Sequence, residues 1–298
     1  MKWQTAQRVM QLAWLALLAA AATALVLRGD PGDALWAGGL VAAGLLLHLP
    51  WLGLQFFLAA AAARRRVAAG DTSLPAPGRA AWWRAWWAEV GWCSRSYAWH
   101  QPWSGAAQLA QLPADPLAPG RTQGRGILFV HGFMCSGGFW GPWTRRLRAL
   151  GRPYVCVSLS PALADLDSYA VQVEAEFRRL FQATGHAPVI VCHSMGGLVV
   201  RAWLRERSRQ GARAGRLAAP LDIVGLACPH HGTEVARWGL GPSARQMQTG
   251  SAWLRELADF EAGQPERDRP HWVCLYSECD NMVYPPRSAC LEGGREAW

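Results

Sequence analysis

The chain has 298 residues, is 51% hydrophobic and 17% charged, and carries a formal net charge of +9. That length suits one sizeable α/β domain plus something smaller, and so low a charged fraction argues against a wholly soluble surface. The basic residues are scattered, without zinc-finger spacing, an RNA-binding signature or a basic repeat, so the charge does not point to nucleic acid.

Val9 to Leu27 holds only Gln11 and Thr23 as polar residues, is flanked by Arg8 and Arg28, and is long enough to span a bilayer as a helix. A tight turn, Arg28 to Asp33, leads into a longer apolar stretch, Ala34 to Ala63. His48, Pro50 and Gln55 interrupt that stretch, and Arg64, Arg65 and Arg66 end it. Residues 1–66 read as a transmembrane helical hairpin. A cleaved signal peptide is the alternative for the first stretch, and the second stretch with its three arginines speaks against it. Lys2, Arg8 and the triple arginine fall on one side, which puts both ends in the cytoplasm. His48 and Pro50 read as an interfacial side chain and a kink.

Residues 67–125 read as a linker, Gly70 to Gly78, followed by a tryptophan-rich segment. Trp82, Trp83, Trp86 and Trp87, followed by Val90, form a stripe on one helical face. Two readings stay open for it: a helix at the membrane–water boundary, or packing onto the domain that follows.

From residue 126 to 298 short apolar runs alternate with helical patterns. The runs are Gly126–Gly132, Tyr154–Leu159, Val189–Cys192, Leu221–Cys228 and Trp272–Tyr276, as expected for strands buried on both faces. Tyr169, Val173, Phe177, Leu180 and Phe181 recur at helical spacing, with Gly185 as a stop. The expected fold class is α/β, a doubly wound and mostly parallel sheet preceded by two transmembrane helices.

Eight cysteines form no CxxC pair and sit mostly in or beside the strands, which reads as buried thiols in a reducing compartment. His230 and His231 are vicinal, but no acidic or cysteine cluster at ligand spacing accompanies them, so no metal is expected.

The run Val189 to Gly197 carries most information. An apolar strand meets Ser194, then Gly196 and Gly197, then a helical stretch, which is the pattern of a strand–turn–helix elbow that exposes a serine hydroxyl. An ordinary serine N-cap is the competing reading. With His131–Met134 (HGFM) upstream and Pro229–Thr233 (PHHGT) downstream, the chain from residue 126 onward resembles the α/β-hydrolase family, in particular bacterial lipases and esterases.

The resemblance implies Ser194 as nucleophile and Asp280 as the triad acid, with Glu278 as fallback. It implies backbone N–H groups of Phe133 and Met195 as the oxyanion hole, and a structural His131. Cys192 stands where the family usually has glycine. His193, though adjacent to the serine, is expected to pack rather than to act as base. The implied activity is hydrolysis of carboxylic esters, lipase- or esterase-like on lipid or other lipophilic esters, without metal or organic cofactor. It would take place at a bacterial inner membrane with the hydrolase domain cytoplasmic. A thioesterase or an acyltransferase uses the same scaffold.

In this family the order is serine, acid, histidine. All eight histidines here precede Asp280. The expectation is a C-terminally incomplete hydrolase fold that stops short of its histidine. The rivals are a non-catalytic pseudo-hydrolase binding module, and a base supplied by His230 or His231.

Overall fold

The computed structural model describes residues 3–70, 77–113, 124–211, 220–291 and 293–297. Most of the expected linker, 71–76, lies outside them. The first helix, α1 (Trp3–Val26), is followed by α2 (Asp33–Leu46), α3 (His48–Ala68) and α4 (Arg79–Arg95). Among the described residues, Trp3–Val26 and the nearly continuous Asp33–Ala68 are long and apolar enough to cross a membrane.

The second apolar stretch is broken at Leu47 rather than running through. His48 opens α3, with Nδ1 against the Leu45 carbonyl at 3.2 Å and Nε2 against Ser94 Oγ at 2.9 Å. Pro50 falls in the first turn of α3, where its missing N–H leaves no helical bond unmade.

After a turn of π-helix, Ser96–His100, come two short helices, α5 (Gln101–Trp103) and α6 (Ala106–Leu109), and then β1 (Ala110–Gln111). The chain then runs β2 (Ile127–Val130), α7 (Gly141–Ala149), β3 (Tyr154–Val157), α8 (Ala170–Thr184), β4 (Val189–His193) and α9 (Met195–Gln210). It continues with β5 (Asp222–Leu226), α10 (Gly241–Gln246), α11 (Ala252–Ala262), β6 (His271–Leu275) and β7 (Arg295–Ala297). Five of these strands fall on the five apolar runs; β1 and β7 complete the sheet.

The sheet order is β1-β3-β2-β4-β5-β6-β7, and every pair is parallel except β1 with β3. Strands β2 and β4 are neighbours, yet the chain leaves β2 toward β3 on one side and β4 toward β5 on the other. The crevice between their C-terminal ends is therefore a topological switch point, where ligands bind in open α/β sheets.

Both faces of the sheet are covered, which is why the strands read as continuous apolar runs. Leu128, Val130, Ile190 and Cys192 meet Val173, Phe177 and Leu180 of α8 and Leu198, Val199 and Trp203 of α9 in one core. Each such fully buried side chain contributes about 1.5–3 kcal/mol. α8 ends at Gly185, whose φ of 72° takes the left-handed cap. Phe181, expected on the buried face, is largely exposed: at i+4 from Phe177 it stacks on that ring from the outside, at 6.2 Å.

Within the tryptophan stripe only Trp82 has a ring partner outside its own helix among the described residues, and that partner, met edge-on, is Phe56 of α3. The contact to the domain that follows comes from Trp92, beyond the stripe, which packs edge-on against Phe139. Trp83, Trp87 and Trp99 remain exposed.

Candidate active site

Ser194 sits between β4 and α9 with φ 51° and ψ −127°, and its side chain makes no capping hydrogen bond. A non-glycine residue in that region stores about 1–3 kcal/mol of strain, which an ordinary N-cap has no need of. The turn is held from both sides. Ser194 N–H donates to the Leu226 carbonyl at 2.9 Å, and Gly197 N–H returns to the Ser194 carbonyl at 3.0 Å.

The glycines explain how the elbow closes. A Cβ on Gly196 would lie 2.5 Å from the Val130 carbonyl oxygen and 2.8 Å from that of His131. A Cβ on Gly132 would lie 3.0 Å from Ser194 Cβ. The start of α9 thus presses on β2, and the His131–Met134 loop lies against the serine. Gly196→Ala must push backbone from backbone, so it should destabilise the fold by about 1–3 kcal/mol. Chemical denaturation would show the loss; an unchanged midpoint would mean that α9 and β2 are farther apart.

Among the described residues no acceptor takes the N–H of Phe133 or of Met195. Phe133 is half-buried against the main core and Met195 is buried at the first turn of α9. Two unspent donors flank the serine, and one of them begins a helix whose dipole favours negative charge.

His131 is buried, with Nδ1 donating to the Gly132 carbonyl at 2.9 Å and Nε2 accepting from Leu159 N–H at 3.2 Å. Donation at Nδ1 and acceptance at Nε2 fix a neutral tautomer, and burial pushes its pKa down to about 4. His193 stacks on Phe139 at 4.4 Å, its Nδ1 is enclosed without a partner, and burial, followed by repulsion from His131 when that ring is protonated, pushes its pKa down to about 4. Cys192 is fully buried, with Sγ 3.9 Å from that of Cys228. Cysteine in place of glycine is thus accommodated by a neighbouring thiol.

Asp280 lies in the loop after β6. Its Oδ1 accepts from Met282 N–H at 2.7 Å and Val283 N–H at 2.8 Å. Burial pushes its pKa up to about 6; the two N–H bonds oppose this and Glu89 adds to it. Glu278 is raised by burial, against the charge of Arg66. Ser194 and Asp280 follow β4 and β6, with β5 between them. Ser194 N–H to Leu226 O and Ala227 N–H to Leu275 O keep the three strand ends level. Two strand spacings, about 10 Å, separate the ends.

No described histidine bonds to Ser194 or to Asp280. His230 is enclosed edge-on to Trp272, 4.9 Å away, with neither ring nitrogen partnered. Burial, then Arg201 and His231, hold it well below the usual histidine range. A Cβ on Gly197 would lie 3.2 Å from its ring, which places His230 against α9. His231 is exposed, and its N–H is tied to the Ser288 carbonyl at 3.1 Å.

The PHHGT segment instead braces the acid loop. Thr233 Oγ1 donates to the Met282 carbonyl at 2.6 Å and accepts from Tyr284 N–H at 3.1 Å. Arg201, buried in α9, donates to the His230 carbonyl at 2.7 Å and pairs with Glu261 of α11. Asn281 Nδ2 donates to Gln55 Oε1 of α3 at 2.9 Å. The resemblance implies that this segment positions loops, without pointing to Thr233 or to the acid loop as its partner; Gln55 stands out in sequence only as a polar interruption. Among the described residues no group of three or more His, Cys, Asp or Glu side chains is placed to hold a metal ion.

A model of the alpha/beta hydrolase family matches residues 127–292, more than half of the chain. The chain belongs to that family. Of solved structures, the mature lipase BlEst2 of Bacillus licheniformis is similar at 18% identity, over 61% of this chain and 85% of that one, with a TM-score of 0.50. Lipase B of Aspergillus fumigatus is 16% identical over 63% of this chain and 46% of its own, with a TM-score of 0.47. A metagenomic carboxyl esterase is 17% identical over 69% and 75%, with a TM-score of 0.41. At 18% identity the likeness to BlEst2 speaks to the fold alone. No curated protein matches the chain.

Proposed function

We propose that this alpha/beta hydrolase is a membrane-anchored serine hydrolase that cleaves carboxylic esters of lipophilic acyl groups. One observation carries the reading: a strained, uncapped Ser194 flanked by the unspent N–H groups of Phe133 and Met195. Ser194 Oγ attacks the ester carbonyl while a base takes its proton. The oxyanion rests on the two N–H groups. The C–O bond to the alcohol then breaks, the alcohol leaves with the proton, and water hydrolyses the acyl-enzyme by the same route. Asp280 holds and stabilises the protonated base. Neither a metal nor an organic cofactor takes part. The apolar helices α1 to α3 anchor the chain in a bacterial inner membrane, with the hydrolase domain on the cytoplasmic side, and keep the site beside lipid. A thioesterase or acyltransferase would use the same residues, and acceptor profiling separates them.

One observation favours a second reading, a substrate-binding module without turnover: no described histidine is hydrogen-bonded to Ser194 or Asp280. Added imidazole discriminates between the two. If Ser194 lacks only its base, hydrolysis of a p-nitrophenyl ester by the detergent-purified chain should rise about tenfold or more with imidazole free base, since general-base catalysis is worth 10²–10⁴. The rise, taken above the rate of imidazole with the ester alone, must vanish in Ser194→Ala. Ester binding with no turnover at any imidazole concentration would establish the binding module.

A further inference from the structure

The first turns of α1 are tied by polar residues at helical spacing to the segment that follows the tryptophan stripe and, through Trp3, to the hydrolase domain. Trp3 Nε1 donates to the Met134 carbonyl at 2.8 Å, Gln4 to the Pro102 carbonyl at 3.3 Å, and Gln11 to the Tyr97 carbonyl. The Arg8 guanidinium donates to the Pro102 carbonyl and lies over Trp103 at 5.5 Å. α1 is thus held against the loop that carries Phe133.

These contacts leave a cavity of about 420 Å³ between α1 and that loop, walled by Trp3, Met10, Trp14, Tyr97 and Met134 and completed by Gln7 and Gln11. Its volume falls within the roughly 300–1,000 Å³ of small-molecule sites. Met10 and Trp14 also belong to the exposed apolar surface of α1, together with Val9, Leu12 and Leu15. At the other end Met134 directly follows Phe133. The cavity therefore runs from the apolar face of a candidate membrane span to the proposed oxyanion loop. A thioether and indole lining adapts to flexible hydrocarbon.

A polar atom adds to the apolar argument. Gln101 Oε1 accepts from Ser136 N–H at 2.9 Å, so its amide orientation is set, and Gln7 must turn Nε2 toward it, at 3.5 Å. That leaves Gln7 Oε1 buried and unpartnered at the cavity wall. An orphaned buried acceptor destabilises the fold unless a donor reaches it.

We infer that this cavity is the acyl site: it takes the hydrocarbon chain of a lipid ester directly from the membrane along Met10 and Trp14, and Gln7 accepts a hydrogen bond from a hydroxyl of the lipid. The inference rests on the membrane-anchored ester-hydrolase reading and names its substrate class, a long-chain acyl ester bearing a free hydroxyl.

The test uses the full chain in lipid nanodiscs, carrying Ser194→Ala, and a monoacylglycerol with a mid-chain diazirine. Photolabelling should map to Met10, Trp14, Tyr97 or Met134, be competed by unlabelled long-chain monoacylglycerol, and be lost in Met10→Trp, which fills the cavity. Labelling confined to Leu12, Leu15 and Leu17, and indifferent to Met10→Trp, would overturn the site. With Ser194 intact, Met10→Trp should slow dodecanoyl-ester hydrolysis about tenfold more than it slows butyryl-ester hydrolysis. Gln7→Leu keeps the cavity, so labelling should persist while the preference for monoacylglycerol over the methyl ester disappears. A preference retained in Gln7→Leu would remove Gln7 from the site. The two readings fail separately. Labelling without hydrolysis keeps the lipid site and rejects the hydrolase; hydrolysis of short esters without labelling does the reverse.

Discussion

Replacing Ser194 with alanine should abolish ester hydrolysis and fluorophosphonate labelling together; in a complete serine triad removal of the nucleophile costs about 10⁶ in kcat. Folding should be unaffected. Alanine keeps the Cβ that makes φ 51° unfavourable, and the serine side chain gives up no capping bond when removed. Ser194→Gly separates the two properties further. Glycine takes the left-handed region freely, so this variant should be equally inactive yet more stable by about 1–2 kcal/mol. A glycine variant no more stable than the parent would mean that the turn is not strained. Labelling that persists in Ser194→Ala would place the nucleophile elsewhere. Assays of both variants with imidazole present keep any missing base from masking the result.

The local parts of this site could be read from sequence because each is a few consecutive residues with one backbone consequence. Gly196 and Gly197 after an apolar strand imply a tight elbow, and the closeness of Gly196 to the Val130 carbonyl is that consequence in space. The five central strands were legible for a similar reason, since burial on both faces leaves unbroken apolar runs. What joins the anchor to the site was not legible. Gln55 to Asn281 spans 226 residues and Trp3 to Met134 spans 131, and each is a single polar contact with no period to betray it. In sequence Gln11 is only an interruption of an apolar stretch, and Gln7 merely precedes it. The break at Leu47 was half visible, through His48 and Pro50. The tryptophan stripe showed a helical face but not its partner, because an indole suits a membrane boundary and a protein core equally. Strand β1 pairs through two residues, too few for any alternation to register.

Asp280→Asn should move activity and stability in opposite directions. Burial raises Asp280 to about 6, with the Met282 and Val283 N–H groups opposing and Glu89 adding to the rise. An unfolded aspartate titrates near 3.9, so between about 3.9 and 6 the native chain keeps a proton that the unfolded chain has lost. Stability contributed by this group therefore falls as pH rises through that window; the deficit is complete above about pH 6 and absent below about pH 4. Asparagine still offers Oδ1 to both N–H groups and carries no charge. At this partly exposed position the variant should gain on the order of 1–2 kcal/mol near pH 8 and nothing near pH 4. Catalysis needs the charge that folding resists. In the proposed role the carboxylate orients the base and stabilises its protonated form; in a complete serine triad its loss costs about 10⁴ in kcat, so the comparison is made with imidazole supplied as the base. The parent's kcat/KM should rise with an ascending limb near pH 6, and that limb should be missing in Asp280→Asn. Thermal unfolding at the two pH values, run beside the pH–rate profile, checks both halves. A variant equally stable at high and low pH would show that Asp280 is not a desolvated carboxylate. A variant with full activity would pass the acid's role to Glu278, which lies two residues away in the same loop. A folded state that tolerates an unfavourable charge at the end of β6 is what a functional carboxylate predicts, because a purely structural turn would be better served by the amide.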